Sequence, residues 1–143
     1  MKIICLRENL KKNLNIAEKI IGRNLTLPIL NNFLLATDKG RLKVSSTNLE
    51  PGINTWTAGK VADEGGVCVP AKTLTNLINN LTEEKISLET KKNTLYIKTE
   101  KYKAAINGFD QKDFPIIPKI KEDKNNFSIN AGLLREALVK TAF

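Results

Sequence analysis

Two stretches of this chain pass through the same order of predicted elements: a strand, an amphipathic helix and three further strands. The first stretch covers residues 2–61 and the second covers residues 66–108. Apolar residues alternate with polar ones in the strand segments and recur every three or four residues in the helical ones. Because consecutive strands are joined by short turns, the pattern predicts antiparallel sheets and an α+β fold rather than an alternating α/β fold.

The individual elements follow from apolar periodicity and turn residues. The helices are predicted over 8–22, closed by Gly22, and over 70–81, with Pro70 in the favoured first position. The strands are predicted over 2–6, over a hairpin that turns at 38–40, over 53–61 and 66–69, and over a three-stranded meander within 85–108. The aromatic residues in or beside these strands are expected to serve in packing: Phe33, Trp56, Tyr96 and Phe109.

A linker and a third strand-helix pattern follow. Residues 110–126 carry two prolines and a run of charges, which is typical of a domain boundary. Beyond them, FSINAGLLREAL aligns without a gap with IICLRENLKKNL near the start of the chain. The sequence thus predicts a first domain over 1–124 and, over 125–143, the end of the linker and the opening strand and helix of an incomplete second copy. This incomplete copy carries an apolar stripe that consists of Phe127, Ile129, Leu134 and Leu138. We expect the stripe to pack against another copy or against the first domain.

Several classes of function have little support in this sequence. The chain contains no histidine, so it lacks the commonest general base and the commonest metal ligand. Cys5 and Cys68 each lie in a short apolar run without C-x-x-C spacing, and buried free thiols are expected. We predict no enzyme activity, no metal and no cofactor. No apolar run approaches the roughly 18 residues of a membrane span, so a cytoplasmic protein without a membrane partner is expected.

The net charge of +8 favours an anionic partner, with nucleic acid the first candidate. A coding bias toward Lys, Asn and Ile could also produce this charge, so the placement of the lysines matters more. A helical wheel puts Lys12, Asn15 and Lys19 on the outer side of the first helix. It puts Lys72, Asn76 and Asn79 on the outer side of the second. None of these six residues is a carboxylate, which favours one shared anionic neighbour.

Two further features refine the prediction of a nucleic-acid partner: the position of Lys72 and the lack of a pattern typical of residues that read bases. Lys72 lies in the first turn of its helix, where a cation opposes the helix dipole unless an anion lies nearby. The chain has no recognition-helix cluster of Arg and Asn, and aromatic residues make up only 6% of it. The sequence therefore predicts contacts with a phosphate backbone, without sequence preference.

Four segments in order and at the right spacing resemble the first domain of the bacterial DNA polymerase III beta subunit, the sliding clamp: TLPILNNFLL, SSTNLE, VPAKTLTNLINNL and INGFDQKDFPIIP. The resemblance covers residues 1–118. It implies a DNA-clamp domain in which two helices pack on antiparallel sheets. It also implies a chain of three such domains, with two chains closing head to tail into a homodimeric ring around duplex DNA. The residues expected to face DNA are Lys12, Lys19, Arg23, Asn24 and Lys72.

The resemblance also implies where other partners bind. The edge strand near Lys98, Lys101 and Lys103 would meet the third domain of the partner chain, although lysines also commonly protect an exposed sheet edge. The replicative polymerase and the clamp loader would dock between the second and third domains, which this segment lacks. Asn48 and Asn24 depart from residues common in the family, and the strongly basic charge is unusual. The alternative prediction is a free-standing basic module that binds duplex nucleic acid non-specifically.

Overall fold

The computed structural model describes residues 1–22, 27–118 and 127–142. These ranges contain eight strands in one antiparallel sheet, three α-helices and two short 3-10 turns. The strands are β1 (Lys2–Leu6), β2 (Asn32–Asp38), β3 (Arg41–Thr47), β4 (Gly52–Asp63), β5 (Gly66–Pro70), β6 (Lys85–Lys91), β7 (Thr94–Lys98) and β8 (Lys103–Asn107). The helices are α1 (Arg7–Glu18), α2 (Ala71–Asn80) and α3 (Ala131–Thr141), and the 3-10 turns are Pro28–Asn31 and Gln111–Asp113. The predicted α+β fold is confirmed.

The first strand of each β-α-β-β-β unit pairs with a strand of the other unit. The order across the sheet is β5-β2-β3-β4-β1-β6-β7-β8. β5, which opens the second unit, pairs with β2 of the first unit, and β1 of the first unit pairs with β6 of the second. The two units are therefore joined at both pairings, while β1 also stays paired with β4 of its own unit.

α1 and α2 pack on the same face of the sheet, which we call the inner face. Leu10, Leu14 and Ala17 of α1 are fully buried there, as are Leu74 and Ile78 of α2. They meet the inward side chains of the strands in one cluster, and burying each such side chain contributes about 1.5–3 kcal/mol. The hydroxyl of Ser46 also donates to the carbonyl oxygen of Ala17 at 2.7 Å, which ties β3 to α1.

The helix ends differ from the sequence prediction. α1 ends at Glu18 instead of Gly22, because the backbone N–H groups of Lys19 and Ile21 bond to carbonyls three residues back and tighten the last turn. Ile21 nevertheless packs against the core, which accounts for its place in the apolar stripe. α2 begins at Ala71, since Pro70 is still the last residue of β5.

Two polar loop segments fix the chain direction around β2 and β3. The Pro28–Asn31 turn leads into β2, and the buried Asn32 amide donates to the carbonyls of Pro28 and Ile29. After β3, the Thr47 hydroxyl accepts from the N–H of Leu49 at 3.0 Å, and Leu49 has a positive φ of 80°. The Ser-Thr-Asn-Leu-Glu segment is thus a folding feature.

Three expectations about packing are wrong. Residues 127–130 are not a strand, because no neighbouring strand offers backbone partners, and every described residue from 127 to 142 is exposed. The tail therefore does not pack against the first domain, and its packing against another copy stays a prediction. The predicted linker begins too early, since Phe114 is buried and Ile117 contacts Gly52. Trp56 and Phe109, expected in packing, are 41% and 46% exposed.

Candidate nucleic-acid interface

The outer sides of α1 and α2 form one polar surface, which we call the helical face. All six residues that the helical wheel placed outward are exposed: Lys12, Asn15, Lys19, Lys72, Asn76 and Asn79. The side-chain amide of Asn79 donates to the side-chain oxygen of Asn15 at 3.5 Å, so the two helices meet along this polar side. The structure thus brings Lys12, Lys19 and Lys72 onto one side of the molecule.

One carboxylate of this surface lies at the start of α1. Glu8 is exposed in the first turn of α1, four residues before Lys12, and pairs with Arg7. The expectation of an acid-free outer face therefore needs correction at the start of α1. A negative charge there is favourable to the helix dipole, so Glu8 has a local structural reason to be present.

Lys72 lies at the exposed start of α2. The helix has no side-chain hydrogen bond at its N-cap and no acidic residue in its first turn. Its first backbone N–H groups therefore lack a side-chain acceptor, and Lys72 belongs to the same first turn. An anion that approached this end would interact with both the ammonium and the positive end of the helix.

A shallow cleft of about 560 Å³ connects this helix start to the end of α1. Lys72 and Ala71 line one side of it, and Glu18, Ile21 and Gly22 line the other, so the cleft also holds one carboxylate. The predicted DNA-facing residues Arg23 and Asn24 follow directly in the sequence, but they lie outside the described residues. Their role stays a prediction.

Sequence reasoning missed one neighbour in this region. Thr73 is exposed in the first turn of α2, beside Lys72, and adds a hydroxyl to the helical face. The helical wheel carried the signal, because Thr73 lies three residues before Asn76. A hydroxyl at this position can donate to a phosphate oxygen without adding charge.

The lysines predicted at a subunit interface occupy a different part of the molecule. Lys98 ends β7 and Lys103 begins β8, directly opposite each other in the antiparallel register. Lys101 lies in the turn between them, and all three are exposed. They belong to the sheet rather than to the helical face, so the structure does not bring them together with Lys12, Lys19 or Lys72.

The electrostatics on the sheet side are dominated by lysines. Desolvation raises the pKa of Glu89, but the charges of Lys91, Lys2 and Lys98 outweigh it, so this pKa lies below its ordinary value. Lys91 contacts Glu89 at 3.5 Å. This carboxylate is therefore ionised at neutral pH and neutralises part of the lysine charge around it.

Both cysteines are buried free thiols, as predicted. Burial raises the pKa of Cys5 to about 11. Burial, with smaller contributions from Asp113 and Asp110, raises the pKa of Cys68 to about 12. Within the described ranges, no group of three or more Cys, Asp and Glu side chains could hold a metal ion, and no helix is long and apolar enough to cross a membrane.

Comparisons with known proteins agree with one another. Residues 1–118 match the family described as DNA polymerase III beta subunit, N-terminal domain. The beta sliding clamp of Synechococcus elongatus is 27% identical over 146 residues, which cover all of this chain and 39% of the relative. The crystal structure of the DNA polymerase III subunit beta from Pseudomonas aeruginosa superposes with a TM-score of 0.88 at 26% identity over 97% of this chain.

The pol III beta structure from Caulobacter crescentus gives a TM-score of 0.85 at 25% identity over 98% of this chain. This chain covers 38% of each of these two solved chains. It therefore spans about two fifths of the length of the relatives that it matches.

Proposed function

This chain belongs to the family of the DNA polymerase III beta subunit, whose N-terminal domain it contains, and we propose that it acts as part of a DNA replication sliding clamp. The observation that carries this proposal is the joint exposure of Lys12, Lys19 and Lys72 on the helical face. In the proposed role, that face lines the hole of a closed ring, and duplex DNA passes along it. Arg23 and Asn24 are proposed to extend the same contact.

The chemistry of the helical face suits sliding rather than tight docking. Its cations are lysines on flexible stems, which contact phosphates as exchangeable point charges. Besides the Glu8 carboxylate, it exposes amides and one hydroxyl, which can bind phosphate directly or through water. A ring of such surfaces would retain DNA by topology, so each contact can remain weak. No catalytic step or cofactor is part of this proposal.

The remaining partners are proposed from the family. Two chains would close head to tail, with the edge strand β8 and Lys98, Lys101 and Lys103 at the contact between subunits. The replicative polymerase and the clamp loader would bind through domains beyond this segment. We place this role in the cytoplasm, where bacterial DNA is replicated.

The test measures binding of the 143-residue chain to a duplex oligonucleotide. We expect a dissociation constant on the order of tens of micromolar or weaker, with no sequence preference. Replacing Lys12, Lys19 and Lys72 together by Glu should weaken binding further. Replacing three exposed lysines on the sheet side by Glu changes the net charge equally and should have a much smaller effect: Lys60, Lys85 and Lys92.

The alternative function makes the opposite prediction. A free-standing basic module would bind duplex DNA with submicromolar affinity at physiological salt, since it would have no ring to retain the DNA. The coding sequence beyond Phe143 discriminates further. A reading frame that continues for about two more domain lengths supports the clamp, whereas an immediate stop codon favours the basic module.

A further inference from the structure

The face of the sheet opposite the helices carries a groove that the proposed DNA contact does not use. Two adjoining cavities of about 360 and 440 Å³ form it, and Lys43, Asn54 and Ile117 line both. One wall is the chain segment that follows β8, which crosses the outer face of β2 and β3. The other wall is Trp56 on β4. We call this feature the outer groove.

The wall after β8 is firmly held. Phe114 is 6% exposed, so it anchors the segment in the domain. Ile117 lies so close to Gly52 that a Cβ there would approach Ile117 Cγ2 to 2.9 Å. These contacts fix the segment on the sheet, and the groove between it and Trp56 is therefore a feature of the folded domain.

The floor of the outer groove carries the positive charge of Lys43. Lys43 is half-buried between the two walls, and among the described residues no carboxylate forms a salt bridge with it. Lys39 and Lys112 add two exposed cations at the rim. Asp38 also lines the groove, but its carboxylate accepts a hydrogen bond from the indole N–H of Trp56 at 2.8 Å. Among the described residues that line the groove, three lysines thus stand against one carboxylate.

The two cavities differ in chemistry. The first has an apolar side formed by Leu34, Pro115 and Ile117, all half-buried. The second is bounded by Trp56, with Lys39 and Lys43 beside it. An occupant that fits both must place an aliphatic group in the first cavity and a negative charge at Lys43. Alternating side chains of an extended peptide provide this combination.

Nucleic acid fits this groove less well. A duplex is too broad and rigid for its phosphates to reach a half-buried amine between two walls. A single strand would need an aromatic face on which a base can stack. One face of Trp56 is already covered by the Arg41 guanidinium, 5.8 Å from the ring centre, and the indole N–H is bonded to Asp38.

We propose that the outer groove binds an extended acidic segment of a partner protein, with a carboxylate at Lys43 and an aliphatic side chain between Leu34, Pro115 and Ile117. This surface lies on the opposite side of the sheet from the helical face. The proposal does not rest on DNA binding, and a partner could occupy the groove while the helical face contacts DNA.

The test uses Trp56 as an internal probe, because it is the only tryptophan of the chain. The 143-residue chain is titrated with an end-blocked octapeptide that alternates aspartate and leucine, and tryptophan emission is recorded. We expect a saturable change in emission. Lys43→Gln should weaken the affinity about tenfold, whereas Lys60→Gln, an equal charge change on exposed β4, should alter it less than about twofold.

Other probes decide between this proposal and its rivals. A peptide that alternates aspartate and serine should bind more weakly, because it lacks the aliphatic side chains. Equal losses in Lys43→Gln and Lys60→Gln would overturn the proposal, as would equal binding of a lysine-leucine peptide. Tighter binding of an oligothymidine octanucleotide that depends on Lys43 would assign the groove to nucleic acid instead. If Lys43→Gln does not fold, Lys112→Gln at the rim should still weaken peptide binding about threefold.

Discussion

Cys68 and Phe109 exchange two backbone hydrogen bonds, at 3.1 and 2.8 Å, and thereby join the two ends of the sheet. β5 is the first strand in the sheet order and β8 is the last, so this pair links the two ends of the sheet at one isolated bridge, just beyond β8. The contact parallels that between β1 and β4, where Cys5 lies opposite Gly59. The backbone approaches closely at both places, and a glycine is present at each.

Gly108 makes the Cys68–Phe109 contact possible, because a Cβ at this position would overlap the carbonyl oxygen of Cys68. We predict that Gly108→Ala destabilises the chain by roughly 3 kcal/mol. Gly40→Ala is the control, since a Cβ there meets no atom within 4 Å and costs only about 1 kcal/mol through its positive φ of 72°. Urea unfolding measures both, and equal losses would contradict the steric argument.

The substitution Lys72→Glu should have opposite effects on the stability of the chain and on DNA binding. Lys72→Glu replaces a cation by an anion in the first turn of α2, which should stabilise the chain by about 0.5 kcal/mol. The same change should weaken duplex binding. Lys12→Glu, in the middle of α1, should weaken binding without the gain in stability. Thermal unfolding and a duplex titration in the same buffer test this, and a Lys72→Glu variant that binds duplex normally would remove Lys72 from the proposed contact.

Lys98 and Lys103 lie directly opposite each other on β7 and β8. Like charges in this position repel, so Lys103→Glu should stabilise the isolated chain by about 0.5 kcal/mol. Lys101→Glu, in the turn, makes the same charge change without a cross-strand partner and should have little effect. Chemical denaturation compares the two variants, and no difference between them would mean that solvent screens the Lys98–Lys103 repulsion completely.

The two thiols should be nearly unreactive in the folded chain. Because the pKa values of Cys5 and Cys68 are raised to about 11 and 12, almost no thiolate is present at pH 8. Labelling with iodoacetamide should therefore be slow until the chain unfolds. Because both pKa values are raised in the folded chain, the contribution of the buried thiols to the free energy of unfolding is fully present below the ordinary thiol pKa of 9.0. It is lost as the pH rises toward 11 and 12. Rapid labelling of the native chain at pH 8 would contradict the burial of both residues.

The sequence alone determined the elements and the sides of the helices. The spacing of Leu10, Leu14 and Ala17 fixed the buried stripe of α1, and therefore also placed Lys12 and Lys19 in solvent. The alternation in the β6–β8 meander likewise predicted its strands. These features are local, since periodicity and turn residues act over a few neighbouring positions. The family resemblance, carried by four segments in order, was also readable without coordinates.

The tertiary structure decided everything that depends on contacts between distant segments. The pairing of each unit's first strand with the other unit and the Cys68–Phe109 bridge leave no local signal, because strand pairing depends on contacts between segments far apart in the sequence. The outer groove required the segment after β8, which sequence analysis had read as a linker, to pack across β2 and β3. The exposure of Trp56 also depends on the tertiary structure, because alternation along a strand does not show which side of the sheet the helices cover.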